Sequence, residues 1–112
     1  MAILTVEQIL SAQDLAEEVV LVPEWGGEVK IRSFTKARQT QVRDMANVDG
    51  ELDSDKLELM MFVFGVVDPQ LTPEDAVVLK EKSAGAVDRV LKRILAISGL
   101  TDDALNDARK SF

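Results

Sequence analysis

Two residue types that dominate enzyme active sites are missing from this chain. It contains no cysteine and no histidine. Without cysteine there is no disulfide, no thiolate nucleophile and no cysteine metal ligand. Without histidine, the commonest general base and the commonest zinc ligand are absent as well. These two absences exclude most enzyme mechanisms before any motif is considered.

Basic residues and long apolar runs are also scarce. Lysine and arginine total 13 against 20 acidic residues, and the net charge of −7 argues against general binding to nucleic acid or to an anionic membrane. The mainly apolar run Leu57–Val67 is well short of the roughly 20 residues that a membrane span needs. The N-terminus lacks the basic and apolar regions of a secretory signal, so we expect a cytoplasmic protein.

The chain does contain enough apolar sequence for one core. Apolar residues make up 46% of the 112 residues, which predicts a single domain over 1–112. The run Leu57–Val67 carries two apolar stripes at helical spacing, and a helix that is apolar on several faces needs neighbours on more than one side. We therefore predict a central helix over about 54–67 that ends before Pro69.

The segment before residue 35 changes to the period of a strand. Val19–Val22 is rich in β-branched residues, and Val29–Arg32 alternates apolar with charged side chains. Between them, Pro23–Gly27 is rich in turn-forming residues. This pattern predicts a β-hairpin over about 18–33. The predicted fold class is therefore α+β, mainly α: a helical domain around the central helix with one hairpin.

Cap-forming residues mark the starts of further helices, at Thr5, Thr35, Thr72 and Ser83. The helix after Thr5, from Val6 to about Gln13, is short enough to be marginal alone, so we expect that it must dock on another surface to persist. The helix after Ser83 is amphipathic and is the natural partner of the central helix. We expect the core to include Met61, Phe62, Phe64, Val90, Leu91 and Ile94.

No group of residues has the spacing of a catalytic, metal or phosphate site. The pair Gly26-Gly27 is not followed by the lysine and helix start of a phosphate loop. The cluster Asn47–Glu51 fails as a calcium loop because, with Gly50 at the turn position, Met45 and Lys56 would be the first and last ligands. We therefore predict a protein that is not an enzyme and holds no cofactor or metal.

Four apolar residues are candidates for binding a partner protein. Trp25 falls at the tip of the predicted hairpin, and tryptophan is enriched at interaction hot spots. The alternative is that Trp25 packs back onto its own sheet or onto a helix. Leu100, Leu105 and Phe112 lie on a weak C-terminal helix, where they either pack on the core or form a small apolar surface for another chain.

Charge is segregated along the chain. Six acids and no base precede Val29, whereas five bases and no acid lie between Val29 and Arg43. The simpler interpretation is a set of solvated faces, because most surface charges have no further role. The alternative is self-association, in which the basic segment meets an acidic patch of a second copy.

The order of these features resembles a known family. A hairpin leads through Ile31–Thr35 into a polar helix, the apolar helix ends in Phe62–Leu71, and an amphipathic helix ends in Ser98–Leu100. From about residue 19 to residue 100, this arrangement resembles the tail assembly chaperones of long-tailed bacteriophages and prophages.

The resemblance implies a non-enzymatic helper of tail assembly that is absent from the finished particle. Members of this family bind the tape measure protein, keep its helical apolar surfaces from aggregating, and are displaced when tail tube subunits polymerise around it. The implied partners are the tape measure protein and, as a further candidate, the tail tube protein, in the cytoplasm of a bacterial host. The alternative function is a small structural tail-completion or connector protein that stays in the virion.

Overall fold

The computed structural model describes residues 2–100, which form an α+β fold with more helix than strand. The helices are α1 (Val6–Ser11), α2 (Lys36–Ala46), α3 (Ser54–Gly65), α4 (Ala76–Leu79) and α5 (Ala84–Ile97). The strands are β1 (Glu17–Val22), β2 (Gly27–Arg32), β3 (Asn47–Val48), β4 (Glu51–Leu52) and β5 (Val66–Asp68). The class that the sequence predicts is confirmed.

The main sheet has three antiparallel strands in the order β1-β2-β5. β1 and β2 form a hairpin whose register runs from the pair Glu17–Arg32 to the pair Val22–Gly27. A 3-10 turn over Pro23–Trp25 joins them. Gly26 follows the turn with φ of +72°, a left-handed conformation that glycine adopts without steric cost.

The central helix ends earlier than the sequence predicts, at Gly65 rather than at about residue 67. α3 ends at Gly65, and Val66 starts a third strand that pairs with Ile31 of β2. Val66 and Val67 are β-branched, so they fit a pleated strand better than the last turn of a helix. The sheet therefore gains a strand directly from the end of the central helix.

A second departure from the prediction, which has one hairpin only, is a small second hairpin between α2 and α3. β3 and β4 pair through Asn47–Leu52 and Val48–Glu51. The two residues between them, Asp49 and Gly50, both have positive φ, of 53° and 83°. Two consecutive positive φ angles are the signature of the two-residue turn that Asp-Gly favours. The Asp49-Gly50 pair is the feature of the sequence that indicates this hairpin.

α3 lies between two apolar clusters and contributes to both. One cluster joins α3 to α2, α4 and α5, through the buried residues Val42, Ala46, Leu57, Leu59, Met60, Met61, Val63, Ala76, Leu91 and Leu95. The other joins α3 to the inner face of the sheet and to α5, through Val20, Val22, Ile31, Phe62, Val66, Ala86, Val90 and Ile94. Each fully buried valine, leucine, isoleucine, methionine or phenylalanine side chain stabilises the fold by about 1.5–3 kcal/mol.

Five of the six residues expected in the core are buried, and Phe64 is the exception. Its ring is only partly buried, and the guanidinium carbon of Arg38 lies 4.7 Å from the ring centroid. A cation over an aromatic face is an attractive contact at the surface. Phe64 therefore closes the edge of the core under a side chain of α2.

α3 and α5 approach each other closely at Gly65. A Cβ atom placed on this glycine would lie 2.5 Å from Cδ1 of Ile94 and 2.9 Å from its Cγ1 and Cγ2 atoms. Carbon atoms do not approach so closely without a shift of one side chain. The glycine that weakens helix propensity in α3 is thus the residue that lets Ile94 enter the core.

Candidate partner-binding surfaces

Three of the four acidic residues of the hairpin, Glu17, Glu18 and Glu24, are held in ion pairs with arginines. Glu24 accepts two hydrogen bonds from Arg89 of α5, at 2.5 and 2.7 Å, and these lower the pKa of its carboxyl group to about 2. Glu18 accepts two from Arg93, both at 2.6 Å, which also lower its pKa. These four side chains fasten the hairpin to α5.

Among residues 2–100, no three histidine, cysteine, aspartate or glutamate side chains are grouped closely enough to hold a metal ion. In the same part of the chain, no helix has the length and apolar character needed to cross a membrane. The remaining candidate sites are surfaces, and the first are those at Trp25 and Leu100.

Trp25 packs against the core by one edge. Its ring meets the ring of Phe62 edge to face, with centroids 6.0 Å apart and an interplanar angle of 74°. This geometry is a favoured one for aromatic pairs. The side chain keeps 37% of its surface exposed. Trp25 therefore packs on a helix of its own chain, which is the alternative given above. Its role in partner binding stays a prediction.

Leu100 has a structural role at the end of α5. Gly99 has φ of +76°, its amide donates to the carbonyl of Ala96, and the amide of Leu100 donates to the carbonyl of Leu95 at 2.7 Å. This is a Schellman motif, in which the residue after the glycine packs back on the helix. Leu100 is partly buried against the cluster that includes Leu95. The other two candidates, Leu105 and Phe112, lie outside the described residues.

A group of exposed apolar side chains lies near the N-terminus. We call residues 2–15 the N-terminal arm. None of the six residues of α1 is buried. The large apolar side chains of the arm keep between 46% and 96% of their surface exposed, and they are Ile3, Leu4, Val6, Ile9, Leu10 and Leu15. The structure therefore leaves every residue of α1 unburied, and the surface on which this short helix docks stays a prediction.

The outer face of β1 continues this apolar surface along the chain. Val20 and Val22 point into the core, while Val19 and Leu21 are 52% and 63% exposed on the opposite face. A strand that is apolar on both faces is typical of a sheet covered on both sides. β1 is an edge strand of its sheet. Its outer face is the second unpartnered apolar surface.

A third surface is a groove of about 500 Å³ between α4 and the start of α3. Met45, Leu59, Met60 and Val77 line its apolar part, and side chains of both charge signs, among them Asp55, line its rim. Val77 and its neighbour Val78 are both exposed. The groove is open and its charges are mixed, so it favours no partner of one sign.

Comparison with known proteins finds a solved structure of similar fold. No protein-family model and no curated protein sequence matches the chain. A solved tail assembly chaperone does have this fold. It is the chaperone of bacteriophage HK97, which superposes with a TM-score of 0.54 and 20% sequence identity over 81% of this chain and 94% of that one. The resemblance seen in the sequence is confirmed as a likeness of fold.

Proposed function

We propose that this protein is a tail assembly chaperone, which binds the tape measure protein without catalysis and keeps it soluble in the host cytoplasm while the tail tube assembles. The observation that carries the proposal is the fold shared with the HK97 tail assembly chaperone over 94% of that chain. The features that the sequence shares with this family, from the hairpin to the end of α5, support it independently.

The exposed apolar surface supports a binding role of this kind. Within residues 2–100, twelve large apolar side chains are markedly exposed, and six of them belong to the N-terminal arm. Six such side chains within one 14-residue segment differ from the singly scattered apolar residues of an ordinary surface, and they support a site of interaction there. A client with apolar helical surfaces is covered by contacts of this type, and charge then affects the rate and specificity of binding.

Co-expression with the tape measure protein from the neighbouring gene tests the proposal. We expect the tape measure protein to be recovered in the soluble fraction together with this chain, and in inclusion bodies without it. Another small acidic domain expressed at the same level is the control for a general effect on solubility. A tape measure protein that stays insoluble beside the chain would overturn the proposal.

Analysis of purified tails separates the chaperone from a structural tail-completion or connector protein. A chaperone is displaced during assembly, so we expect finished tails to lack the chain. If quantitative mass spectrometry of purified tails finds the chain at a fixed number of copies per particle, the connector function replaces the proposed one.

A further inference from the structure

The N-terminal arm has the features of a segment that is completed by a partner. α1 begins with a full capping box: the Thr5 hydroxyl accepts from the amide of Gln8 at 3.2 Å, and the Gln8 side chain accepts from the amide of Thr5 at 2.9 Å. Val6, Ile9 and Leu10 are spaced to share one helical face, and all three are exposed. A helix of six residues is far below the roughly 12–15 residues that a helix needs to persist alone.

The arm starts from a fixed point on the fold. The amide of Ala16 donates to the Ser33 hydroxyl at 2.9 Å, and the Ser33 amide donates to the carbonyl of Ala16 at 2.8 Å. Next to this point, a cavity of about 400 Å³ is lined by Asp14 and Leu15 of the arm together with Phe34, Lys36 and Ile97 of the body. Exposed apolar side chains thus recur along the chain from the arm to Val19 and Leu21 of β1.

The charges of the arm favour a partner of positive charge. The arm contains Glu7 and Asp14 and no base. Among the described residues neither carboxylate forms an ion pair, whereas Glu17, Glu18 and Glu24 each pair with an arginine. On the outer face of the sheet the charges are mixed, because Lys30 lies opposite Val19 and Glu28 opposite Leu21. Selection by charge therefore falls to the arm.

We infer that the N-terminal arm and the outer face of β1 form the docking site for an amphipathic helix of the client whose apolar stripe is flanked by lysine or arginine. The inference rests on the proposed function and names the surface and the chemistry of the partner. The client helix covers Ile9 and Leu10 of α1 and Val19 and Leu21 of β1, and its basic flank meets the two carboxylates of the arm. A second arm is a poor occupant, since its acids would face acids.

Two synthetic helical peptides test this site. Both carry leucines at positions i, i+3, i+4 and i+7, and the flanking residues are all lysine in one and all glutamate in the other. We expect the full chain to bind the lysine peptide about fivefold or more tighter, as two exposed ion pairs allow. The variant Glu7→Lys with Asp14→Lys should reverse the preference. The matched control Glu81→Lys with Asp88→Lys, at exposed acids outside the arm, should leave it unchanged.

The apolar contacts are tested by Ile9→Ser with Leu10→Ser, which should weaken both peptides by about tenfold or more, since two large apolar contacts are lost. Val77→Ser with Val78→Ser removes two exposed valines from α4 and should have no effect. The inference is overturned if the arm variant binds like wild type, if reversing the charges changes nothing, or if wild type binds neither peptide. A loss of mass in light scattering for the free arm variant would instead assign the site to a second copy.

Failure of this site and failure of the proposed function give different results on co-expression. If wild type keeps the tape measure protein soluble and the arm variant does so equally well, the site is wrong and the chaperone function stands. If wild type fails to keep it soluble, the proposed function falls, whatever the peptides show.

Discussion

α1 and α3 begin with the same kind of cap, but α3 is mostly buried and α1 is not. Thr5 caps α1 and Asp53 caps α3, each by accepting a hydrogen bond from an amide three residues later. Both helices carry apolar side chains at helical spacing. Seven of the twelve residues of α3 are buried, and none of the six residues of α1 is. A cap thus sets where a helix starts, and the rest of the molecule decides whether it is packed.

The difference divides the chain into a body that holds the stability and an arm that does not. α3 is apolar on several sides, so it packs on helices on one side and on the sheet on the other. α1 has one apolar face, and within residues 2–100 none of its side chains is buried. If this division is correct, substitutions in the two helices have very different effects on unfolding and on binding.

The largest expected effect comes from Phe62→Ala in α3. The side chain is almost fully buried and also supports the ring of Trp25, so its loss should lower the free energy of unfolding by about 3–5 kcal/mol. Leu10→Ala in α1 is the matched control and should change it by less than about 0.5 kcal/mol. Chemical denaturation measures both. Equal losses for the two variants would contradict the division.

The next effect is that of Gly65→Ala, which adds one methyl group where α3 meets Ile94. The close approach of the two helices leaves no space for it, so we expect a loss of about 1–3 kcal/mol from overpacking, although alanine is the better helix former. Adding Ile94→Val removes the Cδ1 atom nearest to the new methyl group. The double variant should therefore lose less free energy of unfolding than the two single variants lose together. A loss equal to their sum would argue against the clash.

Much of the body could be predicted from the sequence because its signals are local. The caps predicted at Thr35 and Ser83 each accept a backbone hydrogen bond at the start of a helix, as Thr5 does in the arm, whereas Thr72 precedes a 3-10 turn over Pro73–Asp75. The end of α3 was not predicted, because Val66 joins a sheet whose nearest strand lies more than 30 residues earlier in the chain. The partial exposure of Phe64 was not predicted either, because it depends on how α2 lies against α3. Both errors concern contacts between distant segments, which periodicity does not encode.

The candidate surface was harder to predict than the fold. The sequence places Trp25 at a turn, and its contact with Phe62 depends on the direction of that turn. The sequence also shows that α1 is too short to persist alone, but the same observation fits docking on the body or on a partner. In the structure no residue of α1 is buried. One signal was available: Val19–Val22 has apolar side chains on both faces of a strand, which indicates a second covered face.

A smaller effect is expected from the ion pair that fastens the hairpin to α5. The hydrogen bonds from Arg89 lower the pKa of Glu24 from 4.5 to about 2 in the folded state. A carboxyl group with a lowered folded-state pKa stabilises the fold above its unfolded-state pKa, and this contribution is lost as the pH falls through the folded-state value. The thermal midpoint of Glu24→Gln should therefore lie below that of wild type at pH 7, and the gap should close between about pH 4.5 and pH 2.

The gap should be small and should shrink in high salt, because both side chains are partly exposed. Glu28→Gln is the control, since Glu28 forms no ion pair among the described residues. A gap for Glu24→Gln that stays constant from pH 7 to pH 2 would mean that the ion pair is not its cause.

The smallest effect on global stability, and the sharpest test of the division, is that of Thr5→Ala. Removing the cap should lower the helix content of α1, which NMR chemical shifts of Val6–Ser11 report, because a short exposed helix depends on its cap. The free energy of unfolding should not change, since no residue of α1 is buried. Asp53→Ala removes the corresponding cap of α3 and should cost about 0.5–2 kcal/mol of global stability. If Thr5→Ala lowers the unfolding midpoint as much as Asp53→Ala does, α1 packs on the body in solution and the arm is not free to receive a client.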